Sequence, residues 1–375
     1  MTRSGFLLPF RLFGIPVRLD VTFLILLGLL TWLIGGRVAL YVDLFDLPLD
    51  PAPLAHGVTP WALGLAAALG LMVSVLAHEL AHALVARRFG VTIREIRLWL
   101  LGGLAQFDAM PEHPRQELLV ALAGPLMSVT LGGLFWLLAA WLGATAGAML
   151  VVLSYLAVVN VVLAVFNMLP ALPMDGGRVL RALLALRLPH VRATRIAASV
   201  SRVTALLMGL YGLATFNVLL MAIAIFVYLA GQAESQNAVM QDVLGRVALE
   251  DVMTRNVDTV GAGMPVPALL DAMIDRRHVF FPVVGVDGTV VGTVNLRSLQ
   301  GAAEGATVAD VMTRDVVRIS MRNSAADAFE AVLRAPHQRL IVEDETGRML
   351  GLVSTSDLLR VVQVHLTART RNAGT

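Results

Sequence analysis

No cysteine occurs in the 375 residues, so disulfides and thiolate ligands are excluded and any metal must rest on His, Asp or Glu. Charge is scarce too: 15% of residues are charged, against roughly 25% in an ordinary soluble protein. The net charge of +2 is small and no basic cluster with interleaved aromatics occurs, which argues against a nucleic-acid partner. Arg3, Arg11 and Arg18 precede an apolar run, but no small-residue cleavage site follows it, which predicts an uncleaved first span. What the chain does have is apolar sequence, 57% of all residues. Long apolar runs dominate up to about Ala230, and beyond it apolar and charged residues alternate as in a soluble domain. The length suits two or three domains.

A bilayer core takes about 20 mostly apolar residues per helix. The runs predict about six spans: Val21–Ile34, Trp61–Phe89, Leu118–Leu142, Ala146–Leu169, Ile196–Tyr211 and Leu213–Ala230. The first needs flanking residues such as Pro16–Leu19 or Val38–Leu40 to reach full length, and a turn near Gly212 separates the last two. Basic residues favour cytoplasmic loops. Arginines precede the first span and follow the second (Arg87, Arg88, Arg94, Arg97) and the fourth (Arg178, Arg181, Arg187, Arg192, Arg195). The opposite loops carry Asp43, Asp46 and Asp50, or no charge at Gly143–Gly147. The expectation is a multi-pass cell-membrane protein with its N-terminus and C-terminal appendage in the cytoplasm.

The second span contains His78-Glu79-Leu80-Ala81-His82. At about 100° per residue, the two histidines fall roughly 40° apart on one helix face. Two imidazoles so spaced can bind one zinc, and Glu79 can act as base on a water that the metal activates. Three ionisable groups in a span are costly unless paired, metal-bound or facing a water-filled cavity; the bland alternative is a polar helix interface. Catalytic zinc usually takes three protein ligands. The best third ligand is Asp175, in Asn167-Met168-Leu169-Pro170-Ala171-Leu172-Pro173-Met174-Asp175-Gly176-Gly177-Arg178. Pro170 and Pro173 stop the fourth span, and Gly176-Gly177 allows a tight turn. As a plain helix N-cap, Asp175 would instead accept backbone N–H bonds. His78 lies about eleven residues, roughly 16 Å, before the end of its span, in the half of the bilayer that Asp175 also reaches.

These residues, with Gly102-Gly103 and Ala123-Gly124-Pro125-Leu126, make residues Phe6 to Gln232 resemble the site-2 protease family of intramembrane metalloproteases. The resemblance implies ligation of one zinc ion by His78, His82 and Asp175, with Glu79 activating water to hydrolyse peptide bonds of a membrane-spanning protein substrate. It also implies that Asn167 holds the substrate or polarises its carbonyl; a helix–helix hydrogen bond is the alternative. Ile93–Phe107 resembles the family's membrane-associated strands and re-entrant loop, and Gly102 and Gly103 could pair there with an unwound substrate; a surface loop is the bland alternative. Met174 and Ser128 depart from the usual leucine and asparagine. The first is a volume-conserving swap, and the second puts a local contact in doubt but leaves the metal site intact.

The appendage contains an internal repeat. Asp251-Val252-Met253-Thr254-Arg255 recurs as Asp310-Val311-Met312-Thr313-Arg314, an offset of 310 − 251 = 59 residues. Each copy continues into an apolar helix pattern (Ala268–Ile274, Ala325–Leu333) and two β runs separated by a turn. This resembles a pair of cystathionine-beta-synthase-type (CBS) domains, a soluble α/β module that often binds adenine nucleotides. Residues 1–232 are then the polytopic α-helical membrane domain, 233–244 a linker, 245–304 and 305–366 the two CBS domains, and 367–375 a tail. Ser354-Thr355-Ser356-Asp357 matches the family's nucleotide motif, so Ser354 and Asp357 are candidate ligand residues. Asn295-Leu296-Arg297-Ser298 lacks the acid in the other copy. A ligand-free docking or homodimerisation module is the alternative. The rival overall reading is a CBS-gated transporter or channel, and the regulatory expectation is that the CBS pair controls proteolysis.

Overall fold

The computed structural model describes residues 6–99, 102–107, 113–335 and 337–372, in two compact units, Met1–Ser235 and Gln236–Thr375. Arg3, the loop residues Leu100 and Leu101, and the last three residues of the expected tail lie outside the described residues.

The first unit opens with strands β1 (Phe6–Leu12) and β2 (Ile15–Leu19), followed by α1 (Val21–Gly35), α2 (Val38–Leu44), α3 (Pro51–Leu54) and α4 (Thr59–Arg88). A hairpin of β3 (Ile93–Trp99) and β4 (Gly102–Phe107) precedes α5 (Pro114–Leu142), α6 (Met149–Asn167), α7 (Asp175–Ala185), α8 (His190–Ala214) and α9 (Val218–Leu244). Among the described residues, five helices are long and apolar enough to cross a membrane, or six if the bent pair α1 and α2 forms one span. At 1.5 Å per residue, the 30 residues of α4 reach about 45 Å, ample for a hydrocarbon core of about 30 Å.

Three expected boundaries move. Pro16–Leu19 does not lengthen the first span: it lies in β2, which pairs in parallel with β3 through Val17–Ile96, Arg18–Arg97 and Leu19–Leu98. Charge supports that pairing, because Arg18 of β2 donates to Glu95 of β3 at 2.9 Å, while Arg97 on the same strand as Glu95 donates to it at 2.8 Å. Burial alone would raise the Glu95 carboxyl, but the Arg97 and Arg18 hydrogen bonds outweigh it and hold the group below its ordinary value. The last turn of the membrane region falls at residues 215–217, not at Gly212. Gly212 stays helical because the missing Cβ lets α8 approach Met221 of α9, whose backbone N would lie 3.1 Å from it. Residues 233–244, expected as a linker, are helical and complete α9.

The four strands form one sheet in the order β1-β2-β3-β4, so β4 is an edge strand. Gly102 has φ +118°, a backbone region that suits glycine alone at the start of that strand. Small residues also set the helix spacing: a Cβ on Gly64 of α4 would come within 2.5 Å of the Thr31 carbonyl of α1.

The second unit contains β5 (Val260–Gly261), α10 (Val266–Asp275), β6 (Phe280–Val284), β7 (Val290–Asn295), α11 (Val308–Val311), β8 (Arg318–Ser320), α12 (Ala325–Arg334), β9 (Arg339–Glu343), β10 (Met349–Ser354) and α13 (Thr355–Asn372). The sequence repeat becomes a structural one at the same offset, since 325 − 266, 339 − 280 and 349 − 290 are each 59. Sheets β5-β6-β7 and β8-β9-β10 share one topology, a parallel pair followed by an antiparallel hairpin. Val260, Leu269, Phe281, Val283 and Val294 fill one core, while Leu249, Val332, Leu340 and Leu358 fill the other, joined there by Val243 and Leu244 at the end of α9.

Phe281 is fully buried. Phe281→Ala is expected to destabilise the second unit by about 3–5 kcal/mol, read as a lowered unfolding transition in calorimetry of the full chain.

Candidate metal centre

One helix and one helix start bring the polar groups together. His78 and His82 lie one turn apart on α4, and both are buried, at 4% and 5% exposure. Asp175 is the first residue of α7 and is 7% exposed. The prolines that end α6 turn the chain toward this position. Gly176 and Gly177 then let α7 start against the carbonyls of Met168, Leu169 and Ala171, which a Cβ on either glycine would strike.

The three candidate ligand atoms form a nearly equilateral triangle. His78 Nε2 and His82 Nε2 are each 3.2 Å from Asp175 Oδ2, and 3.2 Å from one another. Among the described residues, this is the group of three or more His, Cys, Asp or Glu side chains placed to hold one ion. Asp175 is not a side-chain N-cap: Met174 takes the cap position, and the carboxylate faces the imidazoles. His82 Nδ1 donates to the Val120 carbonyl at 2.7 Å, so in a neutral ring Nε2 is the nitrogen left free to face the triangle. His78 Nδ1 lies 2.9 Å from the fully buried Ser128 hydroxyl, which can accept its proton and orient the second ring in the same sense.

The residues fit a zinc ion. Tetrahedral zinc with bonds of about 2.0–2.1 Å separates its ligand atoms by about 3.3–3.4 Å, close to the observed triangle. Three such groups converging in a buried space need a shared proton or a cation among them, and a zinc ion meets that need. Gly124 of α5 keeps that space open: a Cβ there would overlap His82 Nε2 and lie 2.6 Å from His78 Nε2.

Glu79 is half-buried on α4, beside the triangle in sequence. Its side chain packs against β4, where a Cβ on Gly103 would overlap Glu79 Cγ. The edge strand and the acid are therefore neighbours. Asn167 ends α6, half-buried, and its amide makes no hydrogen bond among the described residues. The helix–helix bond that was its alternative role is made by Asn160 instead, which donates to Ser74 Oγ at 3.0 Å. Sequence reasoning missed Asn160, Val120 and the contribution of Ser128. The spacing of Val120, Gly124 and Ser128, on one face of α5, was a signal available for the last two.

In the second unit, Ser354 and Asp357 meet at the start of α13. Asp357 Oδ2 accepts from Ser354 N at 3.0 Å and from Ser354 Oγ at 2.6 Å. They line a cleft of about 260 Å³ with Thr254, Asn256, His278 and Arg339. The corresponding hollow in the other copy holds only about 10 Å³. It is filled by His337, which contacts Asn295 Nδ2 at 3.1 Å, and by Phe280 under the Arg339 guanidinium at 4.6 Å.

The profile of peptidase family M50 matches residues 66–143 and 142–210, and that of the CBS domain matches residues 249–305 and 308–364. A zinc metalloprotease of Methanocaldococcus jannaschii is 30% identical over 356 residues, covering 95% of each chain. Rip3 of Mycobacterium tuberculosis is 32% identical over 381 residues, covering 96% of this chain and 93% of its own. This chain belongs to peptidase family M50. A solved site-2 protease from M. jannaschii is 30% identical, with a TM-score of 0.42, covering 62% of this chain and 95% of the solved one. The M50 peptidase is thus a multi-pass membrane metallopeptidase carrying a CBS pair, and the transporter reading finds no support in these relatives.

Outer partners of metal-binding histidines commonly tune affinity by 10- to 100-fold. Ser128→Ala is expected to weaken zinc binding by about that factor, measured by chelator competition, whereas Ser128→Asn, which restores a polar partner, is expected to recover most of it.

Proposed function

We propose that this peptidase cuts membrane-spanning proteins within the bilayer, with His78, His82 and Asp175 holding one zinc ion and Glu79 serving as general base. The observation that carries this reading is the buried 3.2 Å triangle of two imidazole nitrogens and a carboxylate oxygen. Zinc there supplies a Lewis acid that polarises the scissile carbonyl and acidifies water. The chain's own residues do the rest. Val120 and Ser128 fix the imidazole tautomers, and Glu79 takes the proton from the attacking water and delivers it to the leaving amine.

The edge strand β4 supports a route for substrate. A helix cannot be hydrolysed while its carbonyls are bonded within it, so the cut segment must unwind. An unwound segment can add to β4, with Gly102 and Gly103 leaving room for its backbone beside Glu79. The free amide of Asn167 is suited to a substrate carbonyl. The arginines beside the first, second and fourth spans favour the orientation with the N-terminus and CBS pair in the cytoplasm.

The expected result of Glu79→Gln is loss of cleavage of a membrane-embedded substrate with about one zinc per chain retained. His78→Ala should lose the metal, and Asp175→Ala should weaken zinc binding strongly while leaving a measurable two-histidine affinity. Normal cleavage by Glu79→Gln would sink the assigned role of the acid.

The CBS pair is read as a controller taking one adenine nucleotide, with Ser354 and Asp357 at the open cleft. The filled counterpart and its missing acid support one site over two. Titrating AMP and ATP against the full chain by calorimetry is expected to give saturable binding near one per chain, lost in Asp357→Ala. No saturable binding would leave the pair as a docking or homodimerisation module.

A further inference from the structure

Arg181 is buried, at 4% exposure, and the chemistry at the triangle does not use it. Its guanidinium bridges two carboxylates. Nε donates to Glu117 Oε1 at 2.7 Å, with Nη2 2.5 Å from the same oxygen, and Nη1 donates to Glu234 Oε1 at 2.5 Å. Glu117 is buried as well, at 3% exposure. Neither Arg181 nor Glu117 is tolerable alone in so poorly solvated a place, and with the more exposed Glu234 they hold three helices together: α5 through Glu117, α7 through Arg181 and α9 through Glu234.

The arrangement is directed at the metal centre. Glu117, Val120, Gly124 and Ser128 follow one another at intervals of three or four residues, along one face of α5. The last three shape and orient the imidazoles, while the first fastens α7. Asp175 begins α7, six residues or about 9 Å before Arg181. Apart from Asp175 itself, Arg181 is the residue of α7 that makes an ion pair among the described residues. One stripe of α5 therefore registers all three ligands, two directly and the third through an ion pair.

We infer that Arg181 is a positioning residue for Asp175: the Glu117–Arg181–Glu234 clamp fixes the rotation and axial place of α7, and so where the third ligand stands. The inference rests on the zinc reading above. The Glu234 arm is the more exposed one, with 39% of its side chain accessible, and α9 continues past it to Leu244. The placement of Asp175 thus depends on where α9 stands.

A double-mutant cycle tests this on the full chain in nanodiscs, with zinc affinity read by chelator competition. Arg181→Met is expected to weaken zinc binding about 10- to 100-fold in the native background. In the Asp175→Ala background it should cause no further loss, because the ligand it positions is gone. Equal loss in both backgrounds, or none in either, would overturn the inference, since a merely structural role acts regardless of Asp175. If Arg181→Met fails to fold, Arg181→Lys decides the matter in the same cycle. It keeps the charge but loses the planar fork, so a loss of several-fold is expected, again only with Asp175 present. Unchanged affinity in Asp175→Ala alone would instead remove the zinc reading itself, and the clamp's role with it.

Discussion

Three acceptor atoms meeting 3.2 Å apart in a buried space form the constraint on which the membrane unit depends. Two imidazole nitrogens and a carboxylate oxygen need a shared proton or a cation among them there. The fold nevertheless brings them together from two distant segments, 97 residues apart between His78 and Asp175. Burial, which makes the arrangement costly without a cation, also excludes bulk water and strengthens the hold on one.

The supports of the triangle come largely from α5, a helix that contributes no ligand. Val120 offers a carbonyl, Gly124 an absent side chain and Ser128 a hydroxyl, each aimed at the histidines of α4. Such supports commonly matter nearly as much as the ligands, because they decide which nitrogen faces the metal. The edge strand β4 lies on the other flank, against Glu79. The acid is consequently placed between a strand able to receive an extended segment and the ligands on its own helix. A peptidase working in lipid needs that conjunction of unwinding surface, base and metal.

The cluster proposed to hold the metal stood out in the sequence because its parts break rules that apolar helices otherwise keep. His78, Glu79 and His82 stand in a run where charge is costly, and Asp175 follows a proline-broken helix end. The CBS repeat was legible through its fixed offset, which the two sheets reproduce. What could not be read are interactions that pair ordinary-looking residues across long separations. Ser128 was legible only as a departure from a family pattern, and its partner on α4 follows from packing, not from local sequence. Arg181 counted as one of several topological arginines until Glu117 and Glu234 were seen on either side of it. Residues 233–244 read as a linker because their polarity rises, yet helical periodicity continues through Val243 and Leu244 into a buried core. Pro16–Leu19 were apolar enough for a span, and only the pairing with β3 makes them a strand.

In the CBS pair, pseudo-equivalent positions are put to unequal use: one hollow is closed by His337 and Phe280 and the other stays open beside Asp357. In the membrane unit, the proposed donor set is two imidazoles and one carboxylate. X-ray absorption at the zinc edge of the zinc-loaded chain tests that donor set most directly. The account predicts four nitrogen or oxygen neighbours at about 2.0–2.1 Å, with outer-shell scattering from two imidazoles. Outer-shell scattering from one imidazole or none would contradict it.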